Sequence, residues 1–265
     1  MRGVAVALSK KEDNALEEQR IRARRFWRGM RGLIEAEREF RKTGPARDGA
    51  FYEFVGFALE RIHMSKSQFV QDLWALWEHG EKRGGYFVEF GAAGGQRLSN
   101  TFMLERKYGW TGLLGEPNPA FHDMLAQRRK APVCTDLIHR VSGETMRFAM
   151  HERGLLSGVV DTNAHATEDG VEQIIRLETI SLNDMLDRYN APKTIDFMSI
   201  DTEGAELDIL RGFDFDAHRV QCFTVEAKDN AERLELIALF EKNGYVHRWP
   251  DFLYKELFMV DAARL

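Results

Sequence analysis

The sequence predicts an α/β protein: a largely parallel sheet covered on both faces, preceded by a helical extension. Three observations predict it. From residue 86 onward, short apolar runs alternate with helical patterns, which is the signature of strands joined by crossover helices. Before residue 80 the apolar residues recur at helical spacing. Between the two, Gly84-Gly85 marks the change of period.

The extension comes first. Residues 10 to about 47 are highly charged, with arginines dense in "RIRARRFWRGMRGLIEAEREFRK". Phe26, Trp27, Met30, Leu33, Ile34 and Phe40 give this arm one apolar face. A basic helix of this kind binds acidic lipid or nucleic acid, or packs its apolar side on its own domain or a second subunit. Glu35, Glu37 and Glu39 interleave with the arginines and favour packing, as a lid or a homo-oligomer contact, over nucleic acid. "TGPARDG" ends the arm, and residues 51 to 79 read as two more helices split near "SKS". Trp74 and Trp77 fit the core better than a stacking platform. The expected division is residues 1–80 for the extension and 81–265 for the sheet domain.

The predicted strands are "YFVEF", "TGLLGE", "PVCTDLI", "IDFMSID" and "QCFTVE", with "GYVHRW" and "ELFMV" closing the chain. The helices between them are "SNTFMLERKY", "AFHDMLAQRRK", "SLNDMLDRYN", "AELDILRGF" and "AERLELIALFEKNG". A chain of 265 residues buries one sizeable core of this type. Its net charge of -5 argues against general attraction to nucleic acid or acidic membranes. Cys134 and Cys222 lie in strand-like runs and read as buried thiols of a reducing compartment. No segment approaches a membrane span, and "MRGVAVALSK" is too short for a secretory signal, so the expected location is cytoplasmic.

In such sheets ligands bind beyond the carboxyl ends of the strands. The turn "EFGAAGG" sits there, with Gly91, Ala93 and Gly95 at alternating positions. Small residues let the backbone approach a ligand, and a following helix N-terminus favours an anionic group. Glu116 lies about twenty residues beyond, at the end of the next strand, where an acid accepts both hydroxyls of an adenosine ribose. The plain alternative is an ordinary turn, with Glu116 as a cap. "GAAGGQ" lacks the G-x-G-x-x-G dinucleotide fingerprint. Glu89 would repel a pyrophosphate but attract the ammonium and sulfonium of S-adenosylmethionine, which is therefore the expected cofactor.

"GYFVEFGAAGGQRLSNTFMLERKYGWTGLLGEPNP" and "TIDFMSIDTEGAELDILRGFDF" resemble the FkbM family of S-adenosylmethionine-dependent methyltransferases, as do "ETISLNDMLDRY" and "QCFTVEAKDN…LFEKNGY". The resemblance runs from about Ser67 to the C-terminus. It implies a Rossmann-like class I methyltransferase sheet of seven strands, the last antiparallel. It also implies methyl transfer to a hydroxyl, often on a sugar, glycan or natural product. Glu89, Gly91, Ala93 and Gly95 would then surround the methionine end of the cofactor. Ser99, Asn100 and Thr101 would meet it from the next helix start, or cap that helix. Glu116 would hold the ribose, and Asp136 would accept from the adenine or stand solvated. Asp201 and Glu203 would lie where the methyl is transferred. One departure is "VEAKDN": Ala227 and Lys228 stand where the family often has a histidine or asparagine, on the acceptor side.

A protonated hydroxyl is a poor nucleophile and needs a base, or a metal that lowers its pKa. Asp201, Glu203 and Glu226 are the acids that topology brings together, either as base or as oxygen ligands of a divalent ion such as magnesium. His165, in "DTNAHATEDG", is a second base candidate on a loop. Two other classes share parts of this pattern: a nicotinamide-dependent oxidoreductase, and a cofactor-binding module without turnover.

Overall fold

Alternate residues of each central strand face two different helical layers. This computed structural model describes residues 49–152, 154–162, 170–250 and 255–265. The arginine-rich arm at residues 10–47 and His165 lie outside the described residues.

Two helices, α1 (Gly49–Arg61) and α2 (Gln71–Glu78), come first. Then follow β1 (Tyr86–Phe90), α3 (Phe102–Tyr108), β2 (Thr111–Gly115), α4 (His122–Arg128) and β3 (Val133–Cys134). Four further strands are β4 (Leu137–His139), β5 (Thr145–His151), β6 (Gly158–Val159) and β7 (Val171–Ser181). The last part holds α5 (Leu182–Arg188), β8 (Thr194–Ile200), α6 (Glu206–Arg211), β9 (Arg219–Glu226), α7 (Asn230–Lys242), β10 (Tyr245–His247) and β11 (Glu256–Asp261).

The main sheet has seven strands in the order β10-β11-β9-β8-β1-β2-β3. Its pairs are parallel except those of β11, which runs antiparallel to both β9 and β10. The expected seven-stranded sheet with an antiparallel last strand is therefore present. Chain order reverses between β1 and β8, which makes their carboxyl ends the switch point.

Successive residues separate the two layers. Val88, Leu113, Met198, Phe223 and Met259 join a core with residues of α5, α6 and α7. Their neighbours Phe87, Leu114, Phe197, Cys222 and Phe258 join a core with residues of α1, α2 and α3. Trp74 meets Phe258 edge to face, with ring centroids 4.9 Å apart. Each such side chain contributes about 1.5–3 kcal/mol on burial. The helices of residues 49–78 thus form one cover of the sheet, and Trp74 is fully buried, as its spacing predicts.

One region differs from the sequence reading. "PVCTDLI" does not form a single strand but divides at Thr135-Asp136 into β3 and β4. The second piece leaves the main sheet and pairs with β7 in a separate sheet, β4-β7-β5-β6. Its inner face carries Leu137, Phe148 and Val159. Met146, Phe148 and Met150 carry a period-two signal, but the apolar Ala149 between two of them blurs the alternation.

Candidate functional site

A cavity of about 320 Å³ opens at the switch point, a volume that suits a small-molecule ligand. The turn after β1 forms its floor. Gly91 has φ 69°, and a Cβ there would lie 1.8 Å from the backbone oxygen of Asp201. Only glycine lets the ends of β1 and β8 approach this closely. Ala93 also has a positive φ, 44°, and its N–H donates to Glu116 at 2.7 Å. At Gly95, φ 73°, a Cβ would lie 2.7 Å from Leu125 Cδ2 and 2.9 Å from Arg129 Cγ, so this glycine sets the packing of the turn on α4.

Glu116 follows β2 and lines the cavity, 5% exposed. Each carboxylate oxygen accepts one backbone N–H, from Ala93 at 2.7 Å and from Asn118 at 2.8 Å. Each keeps a lone pair for a further donor. Burial pushes its pKa up to about 7, against the pull of those two N–H groups. The group is a pre-aimed double acceptor, the type that a pair of ribose hydroxyls requires.

The structure places Glu89 differently from its expected position. Its side chain points into the helical layer, outside the cavity lining, and its carboxylate is taken up by the chain itself. It accepts from Ser99 Oγ at 2.9 Å, Asn100 N at 2.6 Å, Thr101 Oγ1 at 2.5 Å and the Arg129 guanidinium at 3.2 Å. Arg129 also holds Glu105 at 2.6 Å, so one buried cation serves two buried carboxylates. Ser99 lines the cavity, and its Oγ accepts from Phe102 N at 3.0 Å at the first residue of α3. Asn100 donates to Ser199 Oγ at 2.8 Å beneath the turn. Asp136 is paired with Arg188 and does not line the cavity, although Leu137 and Ile138 next to it do.

Asp201, Glu203 and Glu226 do converge. Each offers an oxygen, and the three lie within 4.8 Å of one another, all half-buried and all on the cavity wall. Burial, then the like charges of Glu226, Glu256, Glu203 and Glu206, hold the Asp201 carboxyl well above its usual range. Glu203 sits at φ 59°, and the loop that presents it is closed by Glu206. Glu206 accepts from Thr202 N at 2.6 Å, Thr202 Oγ1 at 2.9 Å and Gly204 N at 2.9 Å. That loop-holding role belongs to the third acid of "DTEGAE", which the sequence reading left out. Arg129, Gln68 and Lys255 were also passed over; each is remote in sequence from the motifs it joins.

A family model for the methyltransferase FkbM domain matches residues 89–247, more than half of the chain. The chain belongs to the FkbM methyltransferase family. No curated protein matches it. Among solved structures it is similar to a precorrin-6y C5,15-methyltransferase from Geobacter metallireducens GS-15, at 13% identity and a TM-score of 0.38, covering 71% of this chain and 85% of that one. The FkbM assignment makes the protein a methyltransferase of the S-adenosylmethionine type and displaces the nicotinamide alternative. Among the described residues, no helix is long and apolar enough to cross a membrane.

Proposed function

We propose that this FkbM protein transfers the methyl group of S-adenosylmethionine to a hydroxyl of a sugar, glycan or other natural-product acceptor. One observation carries the reading: a single cavity joins the pre-aimed acceptor Glu116 to the three converging carboxylates Asp201, Glu203 and Glu226. The cofactor supplies a methyl already activated on a sulfonium, so the chain's own task is alignment and proton removal.

Glu116 holds the ribose, and the close approach of Gly91 to Asp201 sets the methionine end against the end of β8. Leu137, Ile138 and Phe148 form the apolar wall suited to the adenine, a role in which Asp136 takes no part. Asp201 is the favoured base. A carboxyl raised above its usual range by burial and like charge takes a proton more readily than a solvated one. Glu203 and Glu226 orient the acceptor hydroxyl. The same three oxygens are also the donor set that a hard divalent cation such as magnesium prefers, and such an ion would lower the pKa of the hydroxyl.

The test is turnover. Protein incubated with methyl-labelled cofactor and an extract of the source organism is expected to release S-adenosylhomocysteine and label an acceptor stable to mild base, as an ether is. Label in a base-labile ester would remove the hydroxyl assignment. Cofactor binding without any turnover would leave a binding module. Loss of turnover with chelator, restored by magnesium, would favour the metal arrangement over the direct base.

A further inference from the structure

The cavity is lined by side chains of both charge signs. Arg97 and Lys255 both line it, and among the described residues neither side chain has an ion pair or hydrogen bond. Their backbones are nevertheless held. Arg97 precedes Leu98, which sits at φ 63° and bridges to Ser67. The Lys255 carbonyl accepts the Ala227 N–H at 2.8 Å.

Topology explains why the second cation is here at all. β11 runs antiparallel to β9, with Glu256 opposite Glu226, so the start of β11 arrives at the carboxyl edge where the parallel strands end. The cavity is lined by Arg97 from the turn after β1, Asp201 and Glu203 after β8, Glu226 at the end of β9, and Lys255 before β11. Two unpaired cations thus share one cavity with three carboxylates. Gln68 and Thr202 add neutral polar groups to the lining, while the apolar Leu137, Phe148 and Val159 belong to the second sheet.

Carboxylates accept hydroxyl protons but repel anions; a guanidinium and an ammonium bind anions through charge-assisted hydrogen bonds. A neutral or wholly apolar acceptor would use only half of this edge. We propose, resting on the reading of the cavity as a methyl-transfer site, that the acceptor is a polyhydroxylated molecule bearing a carboxylate or phosphate. Arg97 and Lys255 read its anionic group while its hydroxyls face Asp201, Glu203 and Glu226.

The test uses the full chain with S-adenosylhomocysteine bound, its affinity measured first by calorimetry. D-glucuronate, glucose 6-phosphate and glucose are then titrated in as probes. One of the anionic probes is expected to bind about tenfold or more tightly than glucose, and which one does so separates carboxylate from phosphate. Arg97→Met and Lys255→Met should each remove most of that preference while leaving S-adenosylhomocysteine affinity within about twofold. Equal binding of the three probes, binding of none, or a preference that survives both substitutions would overturn the proposal. So would a loss of S-adenosylhomocysteine affinity in Arg97→Met, which would give Arg97 to the cofactor's own carboxylate. A wild-type chain that binds no S-adenosylhomocysteine would instead sink the cofactor reading beneath it.

Discussion

The two ends of the cavity treat charge in opposite ways. At the Glu116 end, the carboxylate is met by two backbone N–H groups, and the turn that supplies one of them is locked by Gly91 and Gly95. At the Asp201 end, carboxylates face one another, and burial together with like charge keeps Asp201 well above its ordinary range. The first arrangement suits a ligand that binds in one pose every time. The second gathers like charge, which costs stability and is a mark of sites where a proton or a ligand is handled.

The largest expected effect tests the charged end. Asp201→Asn should lower turnover by about 10²–10⁴-fold while S-adenosylhomocysteine affinity stays within a few fold, because a base acts on the acceptor in the transition state. Normal turnover in both Asp201→Asn and Glu203→Gln would move the base elsewhere, with His165 next in line.

Arg129→Met comes second and tests the ordered end from below. It strands Glu89 and Glu105 as buried carboxylates without their cation, which should cost about 3–5 kcal/mol in denaturant unfolding. A change under about 1 kcal/mol would mean that the hydroxyl and N–H donors around Glu89 suffice on their own.

Glu116→Ala is a smaller step, expected to weaken S-adenosylhomocysteine binding by about 1.5–3 kcal/mol. Unchanged calorimetric affinity would remove the ribose assignment. The same group sets a pH dependence. With the folded carboxyl at about 7, raising the pH through 7 ionises it and improves its acceptance of hydroxyls. Affinity should therefore rise by about tenfold from pH 6 to pH 8, and Glu116→Gln should flatten the curve. The stability of the unliganded fold should move the other way. The unfolded chain gives up this proton at an ordinary pKa, so stability falls between about pH 4.5 and 7 and is level above.

The smallest effect on the cavity should come from deleting residues 1–47. The covering helices begin at Gly49 and would remain, so cofactor affinity should be unchanged while light scattering reports a different oligomeric state. Unfolding of the truncated chain would make the arm part of the main core.

Much of this was readable in the amino-acid sequence. Period-two and helical patterns are local, so the seven strands of the main sheet, the two helices before it and the acid-ended strands could be read from the residues themselves. Glycine at 91 and 95 and the acid at 116 were readable as residue types at a turn and a strand end, although what each meets, Asp201, α4 and Ala93, lies far along the chain. Partnership was not. Glu89, an acid at the end of a strand, looks alike whether it faces a ligand or Arg129, forty residues away; only the packing of α4 on the turn decided for Arg129. Asp136 was likewise taken by Arg188, and Lys255 reached the carboxyl edge only because β11 runs antiparallel. Sequence spacing determines which face of an element a side chain occupies. Which charge it meets there depends on elements distant in the chain, and the tertiary structure alone brings those together.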